Sequence, residues 1–262
     1  FFFFSRGIVE PGSMLLTDKL KAVSCYPKSY FVLGFLLKGI YQMLNRLFAL
    51  LVAMILCTSV SYGDEKPMAN GPEEGLRLFG QCDASLFQML KKHPDLFGAS
   101  VQVESRGEVA TIAVPNTLSE KGHEQTFKPP VVAAGIRLLA WHNEVSYDVD
   151  IGALLFWGFK VEGDPATIAK RVNTVLPAGR KLASLGTFWA RAEKRAIGDP
   201  IDAWRPGGES GVATQKGIVE RVLMIEQDTP GTSSLYCSLQ GSVTAPLLQI
   251  LRPDLLPREY PQ

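Results

Sequence analysis

The segment Met43–Gly63, MLNRLFALLVAMILCTSVSYG, constrains the chain most. Arg46 precedes a short apolar run, Leu47–Cys57, and Ser61-Tyr62-Gly63 sets small residues at the −3 and −1 positions before polar Asp64-Glu65-Lys66. A positive start, a short apolar middle and a small-residue end are the three parts of a secretory signal peptide. The run is too short to span a bilayer as a helix. Residues 43–63 are therefore expected to be removed on export, which withdraws them from the fold and places the remainder in an oxidising compartment, the periplasm. Leu56 fills the position before Cys57 where a lipobox needs a small residue, which argues against lipidation and for soluble export.

Upstream, Phe1-Phe2-Phe3-Phe4 is not an initiator, and Met43 alone among the early methionines sits directly before an apolar run. Residues 1–42 are read as an upstream segment outside the folded protein, and the polar, Pro- and Gly-containing residues 64–75 as a disordered lead-in. Residues 76–262 then form one domain. Of the chain's 27 Lys+Arg and 26 Asp+Glu, six basic and two acidic residues lie in the first 63, leaving 21 and 24 and a net charge of −3. That balance gives no footprint for nucleic acid, and no membrane insertion is expected after cleavage. Two cysteines remain beyond residue 63, Cys82 and Cys237, and one pair in an oxidising compartment is most simply a disulfide.

The periodicity predicts a helix ending at His93-Pro94, with Asp83 and Ser85 at its start and Leu86, Phe87 and Leu90 on one face. Val101–Ala113 reads as a hairpin turning at Arg106-Gly107, and 115–132, with three prolines, as a long connection. Gly135–Trp141 and Val145–Asp150 read as two strands with a turn at His142-Asn143-Glu144, and Gly152–Gly163 as a central strand. Asp164-Pro165 starts a helix. Strands follow at Leu182–Arg191, Val219–Glu226 and Leu235–Leu239, and a last helix ends before Pro253. Short turns between successive strands favour antiparallel pairing. The fold class is α+β, an antiparallel sheet with helices packed on one face. A repeat-like echo, Leu90–Leu96 against Leu248–Leu255, admits either two related halves or a shared way of stopping a helix before Pro.

Common chemistries find no foothold. His93, His123 and His142 are not spaced as metal ligands, and no metal or cofactor is expected. Gly208-Glu209-Ser210-Gly211 lacks the spacing of a nucleophile elbow, and no Gly-rich loop precedes Lys and Ser or Thr. Asp148 and Asp150 share a predicted strand face, most simply a solvated one. The chain is not read as an enzyme. The long irregular stretch Ile197–Lys216 instead holds Trp204 beside Arg205, residue types that anchor protein interfaces. With Glu209, these are the expected partner-binding residues, and His123, Glu124 and Phe127 are expected to add a second contact at the same end.

Phe156-Trp157-Gly158-Phe159 running into Val161-Glu162-Gly163-Asp164-Pro165, with Cys237–Thr244 and Leu251–Leu255, resembles the periplasmic immunity proteins of bacterial type VI secretion systems, especially those paired with lipase-type toxins. The resemblance implies a protein that binds a secreted toxin and blocks it by occlusion. A periplasmic binding or envelope-assembly protein, or a hydrolase with an unrecognised site, is the alternative.

Overall fold

In a computed structural model of the chain, the described residues are 71–118, 121–208 and 213–260. The expected upstream segment, signal peptide and most of the lead-in lie outside them. The elements are α1 (Pro72–Phe79), α2 (Ser85–Lys92), β1 (Val103–Arg106), β2 (Val109–Ile112), β3 (Glu124–Ala133), β4 (Ile136–Asp148), β5 (Gly152–Glu162), α3 (Pro165–Val175), β6 (Ala183–Ser184), β7 (Trp189–Ala196), β8 (Arg205–Pro206), β9 (Ile218–Thr229), β10 (Thr232–Gly241) and α4 (Ala245–Leu251). The fold is α+β, as the pattern predicts.

Eight strands form one antiparallel sheet in the order β3-β4-β5-β10-β9-β7-β6, with β8 also paired to β7. β1 and β2 make a separate hairpin turning at Gly107, where φ is +59°. Alternation divides the large sheet into two faces. On β5, Ala153, Leu155, Trp157, Phe159 and Val161 are buried, whereas Leu154, Phe156 and Lys160 are half-buried. The first set packs under the helices. Phe79 of α1 meets Phe159 edge-on at 5.1 Å between ring centroids, and Trp141 meets Phe159 at 4.9 Å. Each such pair contributes about 0.5–1.5 kcal/mol beyond its buried area.

The Cys82–Cys237 disulfide ties the turn between α1 and α2 to the middle of β10, with 5.4 Å between the Cα atoms. Asp164 caps α3 through its Oδ1, which accepts from the Thr167 N–H at 2.9 Å, and these hydrogen bonds hold its carboxyl below the ordinary range. Helices α2 and α4 stop alike, at His93 (φ −134°, ψ 75°) and Arg252 (φ −131°, ψ 59°), each before a proline. That shared stop accounts for the sequence echo, and the large sheet is continuous.

Several boundaries differ from expectation. Pro72–Gly75 are helical, because Pro72 opens α1 and Glu73 and Glu74 sit in its first turn. The connection expected over 115–132 contains most of β3, whose prolines fall at a register break between Thr126 and Val131 on a sheet edge, where a strand tolerates them. His142-Asn143-Glu144 is not a turn but the middle of the thirteen-residue β4. Leu182–Arg191 turns back between β6 and β7 rather than running straight. Asp148 ends β4, and its Oδ1 accepts from the Asp150 and Ile151 N–H groups, so it makes a turn rather than a carboxylate pair.

Candidate functional site

The second face of the sheet carries the candidate site. Side chains alternate outward from β5 (Leu154, Phe156), β10 (Tyr236, Ser238, Gln240), β9 (Glu220, Val222, Met224) and β7 (Ala190, Ala192), and the registers bring them side by side. The helices lie on the opposite side, and at the β7–β9 end of this face Gly208 comes against Ala192 and Glu220 and lines the groove with Ala213. With Phe188 from the β6–β7 turn, Leu154, Phe156, Val222 and Met224 line a groove of about 420 Å³, and Glu220 and Gln240 add the polar contribution. Phe156, Phe188, Val222 and Met224 are half-buried, and Leu185 at the rim is 50 % exposed.

Towards the β3 edge the same face becomes polar and aromatic. His142 of β4, Gly158 of β5 and Tyr236 of β10 are aligned partners across three strands. Because the middle residue has no side chain, the outer two rings meet above it, stacked at 5.0 Å and 21°. A Cβ at Gly158 would lie 2.2 Å from the Leu235 carbonyl oxygen and 2.9 Å from Tyr236, so glycine is required. The far side of the His142 ring meets His123, 4.4 Å between centroids. His142 Nε2 lies 3.3 Å from Glu144 Oε2, and Nδ1 lies 3.7 Å from Glu124 Oε1. Burial above all, then the charge of His123, pushes the His142 pKa down against the pull of Glu144 and Glu124. Burial pushes the Tyr236 hydroxyl up to about 12. Among the described residues, His123, Glu124 and His142 are the group able to hold a metal ion, with ligand atoms within 4.8 Å of one another.

The residues expected to bind a partner are dispersed. Trp204 lies beyond β7, at the edge opposite β3, so it is not brought together with His123 and Glu124. Its ring is half-buried against its own core, with the Arg221 guanidinium carbon 4.3 Å and that of Arg195 5.8 Å from the ring centroid. It lines a hollow of about 400 Å³ with Asp83, Gln88, Arg180 and Ile250, on the helix side. Arg205 points outward, its side chain 73 % exposed, and pairs with Asp199 at 3.4 Å. Glu209 lies outside the described residues. Phe127 is 2 % exposed and packs 6.4 Å from Phe159, so it is core. Neither the groove nor the histidine pair is evident from the sequence alone. The outward alternation Leu154/Phe156 and Val222/Met224 was the available signal for the groove.

Comparison with family models, with curated proteins and with solved structures returns no match.

Proposed function

We propose that this chain is an exported protein-binding domain, an immunity protein that neutralises a secreted antibacterial toxin by occluding it. The observation that carries the reading is the sheet face away from the helices, an apolar groove with a polar rim, bordered at one end by Gly208 and Ala213. Such a surface marks a docking site, and a concave groove suits an apolar side chain projecting from the toxin. Phe156 and Gln240, both within the segments that resemble type VI immunity proteins, line that groove. The Cys82–Cys237 disulfide is in keeping with an oxidising compartment. Trp204, pinned on the other side by Arg221, serves the domain's own edge.

Co-expression with the toxin encoded beside its gene tests this. The exported chain should protect the cell, and N-terminal sequencing of the protein recovered from the periplasm should begin near Asp64. Phe156→Arg and Met224→Arg should each weaken the complex by about 2 kcal/mol or more, roughly thirtyfold in Kd, while Trp204→Ala leaves binding intact. A gene neighbourhood without a toxin sinks the immunity reading. Protection that survives both arginine changes in a folded protein, or is lost only with Trp204→Ala, moves the surface elsewhere.

A further inference from the structure

We propose that His123, Glu124 and His142 form a binding site for a single zinc-class divalent cation at the β3 edge of the open face. Two imidazoles and a carboxylate are a recurrent zinc ligand set that leaves a fourth position for water or a partner's side chain. The three side chains converge from adjacent strands. Glu124 and His142 are directly opposed in the β3–β4 ladder, and His123 precedes Glu124. Their ligand atoms lie within 4.8 Å of one another.

The second, independent observation is His142 itself. Its side chain is 9 % exposed, yet Nδ1 is buried and makes no hydrogen bond. A buried polar atom left in that condition costs free energy that a ligand recovers. Nδ1 points towards Glu124, 3.7 Å from Oε1. Tetrahedral zinc at its usual bond lengths sets ligand atoms about 3.3 Å apart. A displacement of roughly half an ångström therefore completes that pair, and rotation of the half-exposed Glu124 side chain supplies it. The other ring nitrogen, Nε2, lies 3.3 Å from Glu144 Oε2. A carboxylate beside Nε2 favours the tautomer protonated there, which leaves the Nδ1 lone pair for metal, as outer partners of metal-bound histidines do. Stacking on Tyr236 over Gly158 holds the ring plane. Glu144 is thus a positioning residue and His123, Glu124 and His142 are the ligands. A bound ion would clamp the start of the edge strand β3 to β4.

The experiment is calorimetric titration of zinc chloride into the full exported protein, without a histidine tag, in a non-coordinating buffer. Cobalt(II) absorption serves as a second readout. One zinc per chain is expected, with a thermal midpoint that rises with zinc concentration. His123→Ala and Glu124→Gln should each weaken binding at least tenfold. Glu144→Gln should weaken it by about 10–100-fold through the ring it orients. His93→Ala, the remaining histidine, should change nothing. These substitutions spare the buried His142 ring, so the fold survives them. Absence of zinc heat and of a cobalt spectrum in the wild type overturns the site. So does binding of undiminished affinity in His123→Ala and Glu124→Gln. Neither outcome bears on the toxin-binding groove.

Discussion

Removing the cation buried at the end of α4 should cost more than removing the whole charged pair. Arg252 is fully buried. Its Nε donates to Asp254 Oδ1 at 2.8 Å, and a terminal nitrogen donates to Asp254 Oδ2 and Asn143 Oδ1, each at 2.9 Å. The guanidinium carbon sits 4.3 Å from the Trp157 ring centroid and 5.2 Å from that of Phe87. Arg252→Met keeps most of the packing but strands Asp254, itself 1 % exposed, with Thr111 Oγ1 at 3.3 Å as its remaining side-chain donor. Breaking one partner of a buried pair costs about 3–5 kcal/mol, whereas replacing both by apolar groups is often close to neutral. The double variant Arg252→Met/Asp254→Leu strands no charge: Asn143 loses its donor in both variants, so the double differs from the single by an unpaired Thr111 hydroxyl, roughly 1–3 kcal/mol, in place of a bare buried carboxylate. Urea unfolding reads the difference. With a slope of about 2 kcal/mol per molar, a loss of about 4 kcal/mol moves the midpoint by about 2 M. A single variant that loses less than about 1 kcal/mol, or a double variant less stable than the single, would falsify the argument that Asp254 depends on this cation.

Two further outcomes follow from the same structure. The disulfide closes a loop with a sequence separation of 155, for which chain entropy gives about 5 kcal/mol, so Cys82→Ala/Cys237→Ala should lose about 2–5 kcal/mol and reductant should lower the wild-type thermal midpoint. A midpoint indifferent to reductant in a fully reduced sample refutes it. Gly158→Ala drives a methyl group into the Leu235 carbonyl and should destabilise by at least the 1–3 kcal/mol typical of overpacking. Wild-type urea stability in that variant would mean that β5 and β10 separate without penalty.

What could be read from the sequence was what local chemistry decides. Asp164-Pro165 starts a helix wherever it occurs, and the run through Phe156-Trp157-Gly158-Phe159 signals a central strand. The two-cysteine count led directly to the observed disulfide. His142-Asn143-Glu144 misleads because its polarity conceals the strand alternation that resumes after the register shift between Leu138 and Ala140. Asn143 points inward to a buried arginine 109 residues away, and His142 and Glu144 point outward. No local signal records so distant a partner. The same holds for His123 and His142, joined only by strand pairing. Lys128-Pro129-Pro130 disguised β3, since prolines argue against a strand except at an edge. Trp204 in an irregular stretch looked available, but its ring is engaged by arginines from β7 and β9.

The borders of the sheet determine how any partner must approach. One border is β3, where Pro129 and Pro130 remove amide donors and break the register. The other is β7, masked piecewise by the two-residue β6 and β8. Neither side offers the long run of free amides and carbonyls that another chain's strand would need to add itself. Recognition by strand addition is thereby closed off, along with the lateral stacking of copies that accompanies aggregation. A protein engaging this domain has to read side chains on the broad face, where selectivity depends on shape and residue identity rather than on backbone hydrogen bonds common to every polypeptide.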